Sequence, residues 1–419
     1  MNLMAGSTTQ WMDPHLDDLK SPNSRNNLFY PTEAAAEEAA AAQDPSALFS
    51  GIRRHVALNE VPQIRVPAAA QSFLHRQVPS SAYDTGPICC VALSESETLF
   101  LDCNSRGAFL YDADERCVVT LPNLHESKRF PVCLSVTSAG NDSRDDTIYV
   151  MDRSAPPPPT GDTIQLQALV HHKVHNRIFY KDDWRCDELP PPPYVTNGDD
   201  DRRNFICSHA LVGSASDVIC VSTDGAGTYC FDTASRTWSK ASDWALSFCG
   251  KIQHDVDLGI WVGFLHYSRK DEVQHLCVTA DLFSATERRR VTTLMRRGCV
   301  ATAAKTWNRR TSGTRTSIFL PKLVSLGSGK FCLVQFFETR EEACIKCGQW
   351  QCEDVVNKFA VFTGVEVVRC GGGGGKDGNE QVGNGSADGD GAGDLRMIVH
   401  KSKRYMLAKS YEVTIECVL

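Results

Sequence analysis

No uninterrupted apolar run in this 419-residue chain approaches the roughly 20 residues that a membrane-spanning helix needs. No secretory apolar segment follows Met1, and Asp13, Asp17 and Asp18 stand where a signal or transit peptide excludes acids. Catalytic signatures are missing too. There is no Gly-x-Ser-x-Gly elbow, no His-Glu-x-x-His and no carboxylate pair apart from turn aspartates, so the sequence is read as non-enzymatic. Positive charge is not in excess: the formal net charge is -7, which removes any global attraction to nucleic acid or acidic membranes.

Cysteine, by contrast, is plentiful. Most of the 18 fall inside strand-like runs, among them Cys89, Cys90, Cys133, Cys220, Cys230, Cys277 and Cys332. Reduced cysteine behaves there as a small buried hydrophobe. Without a leader, a disulfide framework is not expected, and the chain reads as cytosolic or nuclear. The glycosylation sequons at Asn141 and Asn384 are then chance matches.

Three stretches repeat one pattern. Leu110-Tyr111-Asp112-Ala113-Asp114-Glu115-Arg116 precedes Val118–Leu121, and Cys230-Phe231-Asp232-Thr233-Ala234-Ser235-Arg236 precedes Thr237-Trp238. A degraded third copy runs Phe179-Tyr180-Lys181-Asp182-Asp183-Trp184. Each reads as a strand ending in an aromatic-Asp pair, a polar turn and a second strand, the inner hairpin of a propeller blade. The aspartates are expected to accept backbone N–H groups in the turn. Trp238 and Trp261 are expected to wedge between blades.

From residue 86 onward, short alternating runs separated by turn residues fall into groups of four. Ile88–Leu93, Thr98–Asp102, Ala108–Asp112 and Cys117–Leu121 form the first. Val132–Val136, Thr147–Met151, Gln165–His171 and Trp184–Leu189 form the second. The third is Cys207–Val212, Val218–Ser222, Thr228–Asp232 and Thr237–Lys240; the fourth Lys251–His254, Gly259–Leu265, His275–Ala280 and Arg290–Leu294. Lys322–Leu326, Lys330–Phe337, Lys358–Val368 and Leu395–His400 make the fifth. The fold class is therefore all-β, a β-propeller of four-stranded antiparallel blades. Five are counted, and the alternating tail Tyr411–Leu419 with strands from 55–76 offers a sixth.

Two regions depart from this rhythm. Residues 1–54 read as a disordered or weakly helical extension, with a short helix over Ala34–Ala42 capped by Thr32, and residues 55–419 as the propeller domain. The Gly/Asp/Asn-rich insertion at 371–394 reads as disordered.

Gly225–Thr233 with Trp238–Ala241 and Asp243–Leu246 resembles a grass-expanded plant family catalogued as a domain of unknown function. So do Leu121–His125, Leu189–Tyr194, Leu326–Cys332, Phe359–Val367 and His400–Tyr405. That family looks like the kelch and F-box-associated propellers. The resemblance spans about residues 86–407 in order. It implies the propeller fold and carries no catalytic or binding residue to transfer.

Candidate chemistry is sparse. Cys344-x-x-Cys347 with Cys352 and Cys370 offers four thiolates to zinc, although the second pair lacks Cys-x-x-Cys spacing, so no metal or cofactor is expected. His171, His172 and His175 lie on an extended run, which scatters them over two sheet faces, and read as surface residues. Gly371–Gly375 with Lys376 lacks the Ser or Thr of a phosphate loop. The basic stretch from Arg288 to Arg315 suits a nuclear-localisation signal. Its lone Trp307 argues against a nucleic-acid groove. The expected function is a protein-interaction scaffold whose loops bind an unspecified protein partner. A substrate-recognition subunit of a ubiquitin ligase is the first alternative, although no F-box is visible. A propeller enzyme or carbohydrate-binding lectin is the second.

Overall fold

The computed structural model describes residues 6–11, 19–43, 62–63, 71–76, 88–94, 96–102, 105–128, 130–137, 146–153, 164–176, 179–196, 205–213, 217–265, 276–283, 292–293, 314–316, 321–342, 353–369 and 395–406. The chain is a β-propeller of four-stranded antiparallel blades. Blade one is β3 (Ile88–Ala92), β4 (Glu97–Asp102), β5 (Ala108–Asp112) and β6 (Cys117–Leu121). Blade two is β7 (Pro131–Thr137), β8 (Asp146–Asp152), β9 (Leu166–Asn176) and β10 (Phe179–Leu189). Blade three holds β11 (Ile206–Val212), β12 (Val218–Thr223), β13 (Gly227–Asp232) and β14 (Thr237–Ser242). Blade four holds β15 (Phe248–Asp255), β16 (Ile260–Leu265), β17 (Leu276–Thr279) and β18 (Thr292–Thr293). Blade five is β20 (Lys322–Gly327), β21 (Lys330–Glu342), β22 (Glu353–Arg369) and β23 (Leu395–Met406), with β19 (Thr314–Thr316) also pairing β21.

Within each blade the strands pair in chain order. The first strand is innermost, because β11 and β15 meet in parallel through Ser208–Gly250 and His209–Lys251. Burial follows position. Middle strands such as β12 and β13 are apolar on both faces, because blades stack face to face, whereas β6 and β14 are largely exposed at the rim.

Four apolar layers cement neighbouring blades. Leu99, Leu101 and Leu110 of blade one meet Ile148, Val150 and Leu169 of blade two. Val132, Leu134 and Tyr149 meet Ile219, Val221 and Phe231 of blade three. Cys220 and Cys230 pack on Phe248, Ile252 and Cys277 of blade four, and Ile260, Val262 and Val278 on Phe331, Leu333 and Val365 of blade five. Phe231, Phe248 and Phe331 lie wholly buried in these layers, each worth about 1.5–3 kcal/mol of transfer free energy.

Three sequence expectations differ from the structure. First, the degraded repeat at 179–184 is no hairpin: Phe179–Leu189 is one continuous strand, with Asp182 and Asp183 paired to Lys173 and His172. Consecutive polar residues read as a turn, yet an outermost strand tolerates them because one of its edges faces solvent. Second, the true aspartate turns join the third and fourth strands, so they belong to the outer hairpin.

Third, part of the extension is an integral packing layer. Leu19, Leu28 and Phe29 cover the free face of blade five on Leu326, Cys332, Val334 and Ala360. Leu28 accepts from Lys401 N at 2.9 Å, and Gly364 lies beneath it, where a Cβ would stand 2.6 Å from the Leu28 carbonyl oxygen. Three scattered apolar residues have no periodicity, which is why composition hid them. The helix forms as α1 (Glu33–Gln43), with Ala35 N on Thr32 Oγ1 at 3.2 Å. Arg396 of β23 pairs with its Glu33 and Glu37.

β1 (Gly6–Trp11) pairs β2 (Gln71–Arg76) as a separate two-stranded sheet, and Gln63 bridges Arg404 of β23. The tail 411–419 lies outside the described residues. No helix among the described residues is long and apolar enough to cross a membrane.

Candidate functional site

The repeated aspartates are committed to their turns. Asp112 Oδ1 accepts from Asp114 N and Glu115 N at 2.9 and 3.1 Å, and Asp232 Oδ1 from Ala234 N and Ser235 N at 2.9 and 2.8 Å. Arg116 and Arg236 close the turns at φ 52° and 56°. The Ser235 N–H foremost holds the Asp232 carboxyl below its ordinary range. Tyr111 and Phe231, one residue earlier, point inward: Tyr111 packs with Cys90 and Phe100, and Phe231 with Tyr149. Trp238 lies 5.0 Å from Phe231 between ring centroids and donates Nε1–H to Pro190 O at 2.9 Å, joining blade three to blade two.

The described cysteines form no disulfide; seven are buried in the core, Cys89, Cys186 and Cys249 are half-buried, and Cys117 is exposed. Burial pushes Cys207 up to about 11 and Cys332 up to about 12, so both are inert as nucleophiles near neutrality. Cys220 and Cys230 face each other across β12–β13. Their thiol–thiol hydrogen bond moves Cys230 down and Cys220 up. Cys344, Cys347, Cys352 and Cys370 lie outside the described residues, as does most of the 288–315 basic stretch. Among the described residues no three His, Cys, Asp or Glu side chains gather as a metal site. His171 is not a surface residue. It is buried and stacked on Trp184 at 4.5 Å, because the hairpin β9–β10 faces the layer between blades one and two.

What the structure does assemble is a line of aromatics on one face. Strand direction alternates, so first–second and third–fourth connections open on one face of a propeller. Second–third and blade-to-blade connections open on the other. The aspartate turns occupy the first face. On the second, Phe130, Phe205 and Trp244 precede the innermost strands of blades two, three and four, exposed by 63%, 43% and 53%. A chain of hydrogen bonds ties them together. Arg153 N donates to Phe130 O at 3.1 Å and Ile206 N to Arg153 O at 2.8 Å. Asp224 N donates to Phe205 O at 3.2 Å, and Thr228 Oγ1 to Trp244 O at 2.8 Å. Phe130, Phe205 and Trp244 carry no motif in the sequence. Their only signal was a bulky residue just ahead of each innermost strand.

The innermost strands add a second group. His209 on β11 is driven down to about 3, first by burial and then by the charges of Lys251, Arg153 and Lys322. These residues are dispersed in sequence and carry no motif.

Comparison with solved structures returns distant likenesses. Hydrazine synthase of Kuenenia stuttgartiensis is 10% identical over 69% of this chain and 80% of that one, at a TM-score of 0.32. The GH43 protein BlXynB from Bacillus licheniformis is 7% identical over 67% and 52%, at 0.34. The Cps50 (Swd1) β-propeller domain of Myceliophteria thermophila is 9% identical over 66% and 79%, at 0.30. At such scores the blade architecture rests on this chain's own strand pairing. No curated protein matches the chain. One family does, over residues 16–405 and thus over every blade: the chain belongs to the family described as protein of unknown function, DUF1668.

Proposed function

We propose that this protein is a non-enzymatic scaffold that binds a protein partner on the face carrying Phe130, Phe205 and Trp244. The observation that carries the reading is that three exposed rings stand ahead of the innermost strands of three consecutive blades, on the same face. Large exposed apolar side chains held in a row on rigid strand ends mark an interaction surface. Asp224 and Asp243 are exposed beside Phe205 and Trp244, and the chain as a whole carries -7. The partner chemistry that fits is an apolar or aromatic side chain flanked by basic residues. The kelch-like and F-box-associated resemblance suits loop-borne recognition in cytosol or nucleus. A ubiquitin-ligase substrate receptor is its narrower form.

The test is quantitative affinity purification with the wild-type chain, Phe130→Ser, Trp244→Ser and Phe283→Ser. Phe283 is exposed on the opposite face and serves as the control. A partner lost from both Phe130→Ser and Trp244→Ser but kept by Phe283→Ser supports the reading, and co-recovery of a Skp1-like adaptor supports the narrower form. Equal recovery by all four proteins overturns it.

A further inference from the structure

The segment 19–30 closes the free face of blade five, and one of its fastenings can take up a proton. Strand β23 bulges against β22. Val399 pairs with Val365 and Ser402 with Thr363, so two residues, His400 and Lys401, fall against the single Gly364. A bulge re-aims the residues that form it. Here both consecutive residues reach the segment. Lys401 N donates to Leu28 O at 2.9 Å, and Tyr30 N donates to His400 Nδ1 at 3.2 Å.

Those contacts fix the protonation of the ring. A backbone N–H only donates, so Nδ1 presents its lone pair and the proton sits on Nε2. Nε2–H then donates to Glu366 Oε2 at 3.0 Å. Phe29 and Tyr30 cover the imidazole, with ring centroids 5.0 and 6.2 Å away, and the His400 side chain is 1% exposed. The charged groups around it are Glu366 of β22, Lys330 of β21 and Lys401 of β23. Lys330 Nζ lies 3.9 Å from the other Glu366 oxygen, and Lys401 Nζ stands over the Tyr30 ring at 4.9 Å. Burial foremost pushes His400 below its ordinary value; Glu366 pulls against this, while Lys330 and Lys401 add to it. Two further side-chain fastenings are ammonium groups, Lys20 Nζ on Leu326 O at 2.9 Å and Lys403 Nζ on Arg25 O, which stay protonated as pH falls.

We propose that His400 is a proton-operated latch: in mildly acidic solution it takes a proton at Nδ1, loses the Tyr30 N–H and lets the segment 19–30 lift from blade five. A proton on Nδ1 leaves two N–H groups facing each other, with no acceptor between them. In the open form the ring regains water and keeps Glu366 beside it, so its pKa is higher there. The latched value is the depressed one. The latch therefore holds fully above the open value and weakens as pH falls through the window below it. Opening uncovers Leu326, Cys332, Val334 and Ala360, which now lie under Leu19, Leu28 and Phe29. The three exposed rings precede strands of blades two to four, so the latch and the aromatic line can each fail alone.

The experiment is hydrogen–deuterium exchange of the full chain, read by mass spectrometry at about pH 7.5 and about pH 5.5 and corrected for intrinsic rates; ordinary carboxylates stay ionised at both. Protection of the Asn27 to Tyr30 amides is expected to fall about fivefold, the change for a ring that titrates near its ordinary value when open and about one unit lower when latched. The β12 amides of blade three should keep theirs. In His400→Asn the side-chain oxygen still accepts from Tyr30 N but takes no proton, so protection should be equal at the two pH values. In Glu366→Gln the fall should move to lower pH, because the carboxylate no longer attracts the proton; this variant carries the test if His400→Asn fails to fold. Wild-type protection that is unchanged between the two pH values, an undiminished fall in His400→Asn, an unshifted fall in Glu366→Gln or an equal loss in β12 overturns the proposal.

Discussion

Replacing Phe231 with Ala removes the ring that locks blade three to blade two. Phe231 is fully buried, stands edge-on to Tyr149 at 6.1 Å and lies 5.0 Å from Trp238. Burying its side chain is worth about 1.5–3 kcal/mol of transfer free energy. The retained β-carbon subtracts part of this, while the cavity left between two stacked sheets adds to it, and measured truncations of this kind cost about 3–5 kcal/mol. Urea unfolding followed by circular dichroism reads the loss, with Trp238 fluorescence as a local probe. Asp232→Ala, in the exposed turn next door, should cost far less, because water replaces the carboxylate as acceptor for the Ala234 and Ser235 N–H groups. A loss below about 1 kcal/mol for Phe231→Ala, or equal losses for the two variants, would refute the assignment of ring to core and carboxylate to turn.

Gly227→Ala should be severely destabilising, by more than about 2 kcal/mol, since φ is +99° and a Cβ would collide with the Ser242 carbonyl oxygen and Asp243. Gly250→Ala, at φ +77° in open space, should cost only the left-handed penalty of about 1–2 kcal/mol; thermal melts compare the two. Leu28→Ala should lose about 2–5 kcal/mol by chemical denaturation, as a core truncation does, and no loss would mean that the 19–30 segment is dispensable. Asp232 should titrate below the ordinary aspartate range by NMR. Its folded pKa is depressed, so its small stabilisation is present above about pH 4 and fades as pH falls through the folded value. The zinc question at Cys344, Cys347, Cys352 and Cys370 is settled by elemental analysis and a melt with chelator. No stoichiometric metal and an unchanged Tm are expected.

Much of the blade architecture was legible locally. Short apolar, β-branched runs bounded by glycine-bearing turns, such as Val218–Thr223 and Lys330–Val334, mark strands, and an aspartate followed by a four-residue turn ending in Arg marks the hairpins at 112–117 and 232–237. These signals are written in consecutive residues because turn chemistry and pleat are themselves local. The same locality misled at 179–184, where adjacent aspartates imitate a turn and only pairing with His172 and Lys173 reveals a strand.

Other features exist only in three dimensions. Leu19, Leu28 and Phe29 become core because a bare face of blade five awaits them, not because of any pattern among themselves. Phe130, Phe205 and Trp244 are single bulky residues some 40 to 75 positions apart in the chain. They form a line because each precedes an innermost strand and the blades repeat at a fixed angle. His209 and Lys251 become neighbours for the same reason. By itself, then, the sequence determined strand, turn and blade, which depend on neighbours along the chain. Tertiary structure alone decided which side chains share a face and a centre, because radial stacking turns distant sequence positions into neighbours in space.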